Sequence, residues 1–71
     1  MTRYGLTYGS RVRLTATVRG TIPIEVGEVG SVTGFCTAPG LETVIVLWDS
    51  GVWHALRPGQ DRWEVADEPM F

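Results

Sequence analysis

The sequence has few of the residues that build catalytic and metal sites. Its 71 residues include one cysteine, Cys36, and one histidine, His54. A single cysteine excludes an intrachain disulfide and a cysteine-rich zinc site, and it is more typical of a small buried side chain than of a reactive thiol. A Cys–His pair is arithmetically possible, but a nucleophile must also be positioned and activated. No catalytic or metal-binding motif stands out, so we expect neither an enzyme nor a cofactor or metal site.

Long apolar runs are also missing. No stretch approaches the ~18 residues that a membrane-spanning helix needs. The first ten residues, MTRYGLTYGS, lack the apolar centre of a secretory signal, so we expect a cytoplasmic protein. A length of 71 residues predicts a single domain (residues 1–71), and a hydrophobic share of 44% is normal for a folded one.

Lysine is absent, and all six basic residues are arginines. The net charge of −2 argues against a dedicated nucleic-acid-binding protein. The charge is nevertheless uneven, because residues 1–35 carry four arginines against two acidic residues, whereas residues 36–71 carry two against six. Guanidinium groups suit phosphates. A basic surface that follows a nucleic-acid backbone is therefore one hypothesis, with these residues as its candidates: Arg3, Arg11, Arg13 and Arg19.

The stretch Thr43–Leu56, TVIVLWDSGVWHAL, predicts a β-hairpin. β-Branched and aromatic residues form its two strands, Thr43–Trp48 and Val52–Leu56. The loop Asp49-Ser50-Gly51 has turn chemistry, with Gly51 in the left-handed bulge position. A three-residue loop pairs Trp48 with Val52 and so on down to Val44 with Leu56.

Three further strands complete an all-β chain. Arg11–Val18 alternates between apolar and polar residues, and Val29–Phe35 contains glycines that often mark a bulge. Arg62–Val65 is a short last strand whose Trp63 we expect in the core, and a short 3₁₀ turn precedes it. The predicted core spans residues 11–65, whereas residues 1–10 and 66–71 are predicted to be extended or frayed. The loop at residues 19–28 is expected to fold three aliphatic side chains over one end of the core.

Four segments together resemble a family of small SH3-like domains of unknown function from bacteria, plasmids and phages. These segments are RVRL, GEVGSVTGF, VIVLWDSG and LRPGQDRWEV, and they cover residues 11–65. Gly27, Gly30 and Val32 also resemble the KOW element of ribosomal and transcription-elongation proteins. The resemblance implies a five-stranded SH3-like barrel and a phage or mobile-element origin, but no activity. The chain departs from the family at Val26-Gly27, where Pro-Gly is usual, and in the apolar outer face of its hairpin.

That outer face is the candidate functional surface. The predicted pairing groups four apolar residues on one face, Ile45, Leu47, Trp53 and Ala55. The family resemblance and the β-branched content of the opposite face imply that these four point outwards. They form either a surface for a partner or a second copy, or a patch that the chain's own Tyr4, Tyr8 or Phe71 covers. We expect His54, on the opposite face, to be a hydrogen-bonded, partly buried histidine.

These features favour a non-enzymatic protein-interaction module, acting as a homodimer, a small subunit or an inhibitor docked on a larger protein. The alternative is a nucleic-acid-binding accessory protein of KOW or SH3-like type that uses the arginines. Binding of proline-rich peptides, as in SH3 domains, is disfavoured because the chain lacks the acidic run that accompanies that groove.

Overall fold

The computed structural model describes residues 4–66, which form five antiparallel β-strands in a single sheet. The strands are β1 (Arg11–Thr17), β2 (Val29–Cys36), β3 (Thr43–Trp48), β4 (Trp53–Leu56) and β5 (Asp61–Val65). Their order across the sheet is β4-β3-β2-β1-β5. Residues 4–66 contain no helix that is long and apolar enough to cross a membrane. The all-β prediction is confirmed.

The hairpin has the predicted register. Leu47 lies opposite Trp53, and Val44 lies opposite Leu56. The Trp48 amide donates to the Val52 carbonyl at 2.8 Å, and the Gly51 amide donates to the Trp48 carbonyl at 2.8 Å. Gly51 has φ +94°, a left-handed conformation that glycine adopts without a steric penalty. Local turn chemistry therefore sets which residues of β3 and β4 share a face.

The two glycines of β2 have different surroundings. A Cβ at Gly30 would lie 2.6 Å from Val46 Cγ1 and 2.9 Å from both the Leu47 carbonyl oxygen and the Trp48 Cα. A Cβ at Gly34 would have Ile45 Cδ1 as its nearest neighbour, at 3.7 Å. The pairing with β3 shifts by one residue between Val32 and Gly34, which is the bulge that the glycines predicted. Gly30 is therefore required for the close approach of β2 to β3.

The core lies on one side of the sheet and uses residues from four strands and two loops. Its fully buried side chains belong to Leu6, Val12, Leu14, Val32, Val44, Val46, Trp48 and Leu56. Ile24 from the loop after β1 joins them, and Ile22 packs against them. The third aliphatic of that loop, Val26, is 59% exposed, so only two of the three cover the core. Trp63 is half-buried against the core.

Residues 6–10, part of the predicted extended or frayed N-terminal segment, contact the core and the sheet. Leu6 is 1% exposed and belongs to the core. The Gly9 amide donates to the Val32 carbonyl at 2.8 Å, and the Val32 amide donates to the Ser10 carbonyl at 2.9 Å. The main chain before β1 therefore continues its pairing with β2 and carries Leu6 to the core. Ala66 is also buried, whereas the rest of the predicted frayed end, residues 67–71, lies outside the described residues.

The sheet has two open edges, β4 and β5, so it is not closed into a barrel. A tight turn joins these edge strands. In it the Arg57 carbonyl accepts from the Gln60 amide at 3.0 Å and from the Asp61 amide at 2.9 Å. The predicted 3₁₀ turn lies in this segment and stays a prediction. The predicted strand boundaries agree with the observed ones to within one residue.

Candidate interaction surface on the β3–β4 hairpin

Four apolar side chains form a strip on the outer face of the hairpin, away from the core. We call Ile45, Leu47, Trp53 and Ala55 the hairpin strip. Leu47 pairs with Trp53 and Ile45 pairs with Ala55, so the four side chains share one face. Trp53 is 62% exposed and Ile45 is 36% exposed, whereas Leu47 and Ala55 are half-buried. The four residues share one face, as the sequence predicts, because the side chains of a strand alternate with a period of two.

The described aromatic residues of the N-terminal segment contact other parts of the surface. The Tyr4 ring packs edge-on against Trp63 at a centroid distance of 6.2 Å, and its hydroxyl donates to Glu42 Oε2 at 2.7 Å. The Tyr8 ring packs against Phe35 at 5.6 Å. Phe71, the third residue considered as a cover, lies outside the described residues. These two ring contacts are with residues other than Trp53, which is 62% exposed.

A polar cluster borders the strip on its β2 side. Ser31 lies opposite Leu47, and Arg11 lies opposite Ser31. The Arg11 guanidinium donates to both oxygens of Asp49, at 2.8 and 2.6 Å, and to Ser31 Oγ at 2.8 Å. The hydrogen bond from Arg11 lowers the pKa of Asp49, and the same bond raises the pKa of Arg11. An apolar centre beside a polar rim is the usual anatomy of a protein interface.

The three candidate nucleic-acid residues within residues 4–66 are each paired with a carboxylate. Arg11 binds Asp49, and Arg13 Nη1 lies 3.0 Å from Glu64 Oε1. Arg19 pairs with Asp61. Arg3 lies outside the described residues. Each guanidinium of the described three is therefore compensated by a carboxylate charge.

Asp61 organises a buried polar cluster that the sequence analysis missed. Its side chain is 0% exposed, and it accepts hydrogen bonds from Thr17 Oγ1 at 2.5 Å, from the Arg57 amide at 2.8 Å and from Arg19 Nε at 3.0 Å. Arg19 Nη2 also donates to Asp61 and to the Ala55 carbonyl, the latter at 3.0 Å. Arg19 thereby links β4 to the start of β5, across the open side of the sheet. We call these residues the Asp61 cluster.

His54 and Cys36 lie on different strands, β4 and β2. His54 is half-buried, and within residues 4–66 its Nε2 lacks the hydrogen-bond partner that the sequence analysis expects for this side chain. Burial lowers the pKa of His54, and the nearby Arg19 charge lowers it further. Cys36 is a free, half-buried thiol. Within residues 4–66, His, Cys, Asp and Glu side chains form no group of three or more that could hold a metal ion.

Comparison with known proteins adds no relative. No protein-family model, no curated protein and no solved structure matches the chain.

Proposed function

We propose that this chain is a non-enzymatic protein-interaction module and that the hairpin strip is its binding surface. The observation that carries the proposal is the position of Trp53, which is 62% exposed although it lies within a strand and beside three other apolar side chains. Large aromatic residues at the centre of a surface patch contribute a major share of binding energy in protein interfaces.

The stability of the fold does not explain the strip. The inner face of the same hairpin holds Val44, Val46 and Trp48 at 0–1% exposure, and these residues already belong to the core. The side chains of the strip project from the opposite face, where apolar area in contact with water stabilises nothing until a partner covers it.

The arginines favour the interaction module over the nucleic-acid alternative. A phosphate would have to displace Asp49 from Arg11 or the buried Asp61 from Arg19. The second exchange would leave a buried carboxylate without its counter-charge, which is strongly unfavourable. Nucleic-acid binding through Arg11, Arg13 and Arg19 is therefore not the function that we propose.

We also propose that the fold belongs to the SH3-like class and that its turn at residues 57–61 is the 3₁₀ turn of that class. The strand order supports the assignment, because β1 lies between β2 and β5 while β2, β3 and β4 form a meander. The Asp61 cluster spans the side on which a barrel of this kind would close.

Selection from a library of displayed peptides or small domains tests the function. We expect the immobilised chain to enrich ligands that bind Trp53→Ser at least ~30-fold more weakly, the equivalent of a hot-spot loss of ~2 kcal/mol. Leu41→Ser is the matched control, because Leu41 is 68% exposed in the loop before β3 and does not belong to the strip. Both variants are first checked for an unchanged circular dichroism spectrum. Ligands that bind Trp53→Ser as well as they bind the wild type would refute the assignment of the surface.

A further inference from the structure

The edge strand β4 has hydrogen-bonding groups that point out of the sheet. In an antiparallel pair, residues alternate between those that bond to the neighbouring strand and those whose backbone groups point away from it. The pair of Trp48 and Val52 is bonded, as the 2.8 Å contact shows. The alternation therefore turns the N–H and C=O groups of Trp53 and Ala55 towards the open edge. The hydrogen bond from Arg19 to the Ala55 carbonyl agrees with this direction.

The two edges of the sheet differ in how they resist pairing with another strand. Charged side chains on an edge strand are a common protection against association. β5 carries two exposed charged side chains, those of Arg62 and Glu64, besides the buried Asp61. The four residues of β4, WHAL, include neither a formal charge at neutral pH nor a proline. Because burial lowers the pKa of His54, its imidazole is neutral at pH 7. β4 is therefore the edge that is open to pairing.

We propose that a second copy of this chain pairs with β4 in antiparallel orientation, with the twofold axis at Trp53. This inference rests on the proposed function, because it names a partner for the surface around the hairpin strip. The edge is self-complementary at this residue, because the Trp53 N–H of each copy meets the Trp53 C=O of the other. Two hydrogen bonds form, and the two Cα atoms lie about 5.5 Å apart.

Arg19 selects this register. A twofold axis at Ala55 would need the Ala55 carbonyl, which already accepts a hydrogen bond from Arg19 Nη2. Displacing Arg19 would also disturb its ion pair with the buried Asp61. At Trp53, by contrast, the described residues supply no such competing donor.

The pairing joins the two hairpin strips. Residues that face each other across antiparallel strands share a face, so the two indole rings become neighbours and can pack together. The side chains of β3 then flank them on both sides, which doubles the continuous apolar surface. The net charge of −2 per chain opposes this association only weakly. Because only one edge strand of each copy is covered, we expect a weak dimer with a dissociation constant in the micromolar to millimolar range.

Amide hydrogen exchange of the full chain, followed by NMR from about 20 µM to about 2 mM, tests the pairing over the range expected of a small interface. We expect light scattering to show a monomer–dimer equilibrium. We also expect hydrogen exchange at the Trp53 amide to slow several-fold as the fraction of dimer rises. Ala55→Pro is expected to abolish both effects. Proline is tolerated at an edge position whose N–H points outwards, but its ring obstructs an approaching strand. Leu41→Ser, in the exposed loop before β3 and outside the hairpin strip, is expected to leave both effects in place.

Two results would overturn the inference, and neither would by itself refute the proposed function. A dimer that persists in Ala55→Pro but is lost in Ile45→Ser, without protection of the Trp53 amide, would mean that the strips pack face to face. A chain that stays monomeric throughout the concentration range would exclude a second copy as the partner. In both cases the ligand selection with Trp53→Ser still decides independently whether the hairpin strip binds a foreign protein.

Discussion

Replacing Asp61 with asparagine should destabilise the fold more than replacing any other paired carboxylate in the described part of the chain. The Asp61 side chain is 0% exposed and is the common acceptor for Thr17, Arg19 and the Arg57 amide. Asparagine keeps the shape and one acceptor oxygen but removes the charge that compensates Arg19, whose side chain is only 14% exposed.

The expected loss follows from the burial of this pair. Removing one partner of a buried ion pair costs about 3–5 kcal/mol, because the remaining charge is left without compensation in a poorly solvated site. Asparagine keeps some of the hydrogen bonds, so we expect a loss near 3 kcal/mol. A chain of 71 residues has a free energy of unfolding of about 4–10 kcal/mol, so the variant should lose a large part of its stability.

Urea denaturation followed by tryptophan fluorescence measures this loss. Glu64→Gln is the control, because Glu64 is also a carboxylate of β5 paired with an arginine, but its side chain is 53% exposed. Solvent screens such pairs, and we expect that control to lose at most about 1 kcal/mol. Equal losses in the two variants would refute the reasoning that burial makes the Asp61 cluster important.

The Asp61 carboxylate should also make the free energy of unfolding depend on pH. Burial alone would raise the pKa of Asp61, but the hydrogen bonds from Thr17, the Arg57 amide and Arg19, together with the Arg19 charge, outweigh it and hold the pKa below its ordinary value. The unfolded chain therefore binds the proton more readily than the folded one. The stabilisation is complete above the unfolded pKa of about 3.9 and is lost as the pH falls through the folded pKa. Asp61→Asn should lack this component of acid destabilisation.

The other predictions concern the two glycines of β2 and the histidine of β4. Gly30→Ala should lower the free energy of unfolding by at least about 2 kcal/mol, because its methyl group meets the backbone of β3, which cannot rotate away, whereas Gly34→Ala should change it by less than about 1 kcal/mol. Denaturant midpoints check this pair, and equal losses would contradict it. His54, the only histidine, should titrate by NMR below the ordinary pKa of about 6.5 because of burial and the Arg19 charge. The resulting stabilisation is complete above that value and is lost as the pH falls through the folded pKa, so the wild type should lose stability on going from neutral to mildly acidic pH while His54→Leu should lose less. A His54 pKa at or above 6.5 would contradict this second prediction.

The hairpin was predictable because its determinants are local. The period of two in Thr43–Trp48 and the Asp-Ser-Gly turn together define which residues of the two strands share a face. The same pattern groups the residues of the hairpin strip on one face. The prediction that this face is the outer one also needed the family resemblance and the β-branched content of the opposite face. The bulge in β2 was likewise indicated by glycines within a strand.

Leu6 and the Asp61 cluster were not predictable, because their positions depend on distant parts of the chain. Leu6 lies in a short segment without periodicity, so nothing around it indicates burial. Asp61 meets Thr17, which is 44 residues away, and Arg19, which is 42 residues away. Counting charges in the first 35 residues grouped Arg19 with the other arginines, but a count cannot show which carboxylate each arginine binds.

The core and the hairpin strip use opposite faces of β3 and β4. The buried residues of β3 stabilise the fold through one face, and the Asp61 cluster connects β4 to β5 at the open side of the sheet. The outer face of β3 and β4 lies outside the core, so we expect substitutions there to destabilise the fold less than substitutions in the core. Arg19 affects both the stability of the fold and the edge of the sheet, since it neutralises Asp61 and donates a hydrogen bond to the Ala55 carbonyl of the edge strand. Substituting Arg19 would therefore weaken the fold and at the same time open a second position for pairing along β4, so the stability of this chain and its tendency to associate are coupled through one guanidinium group.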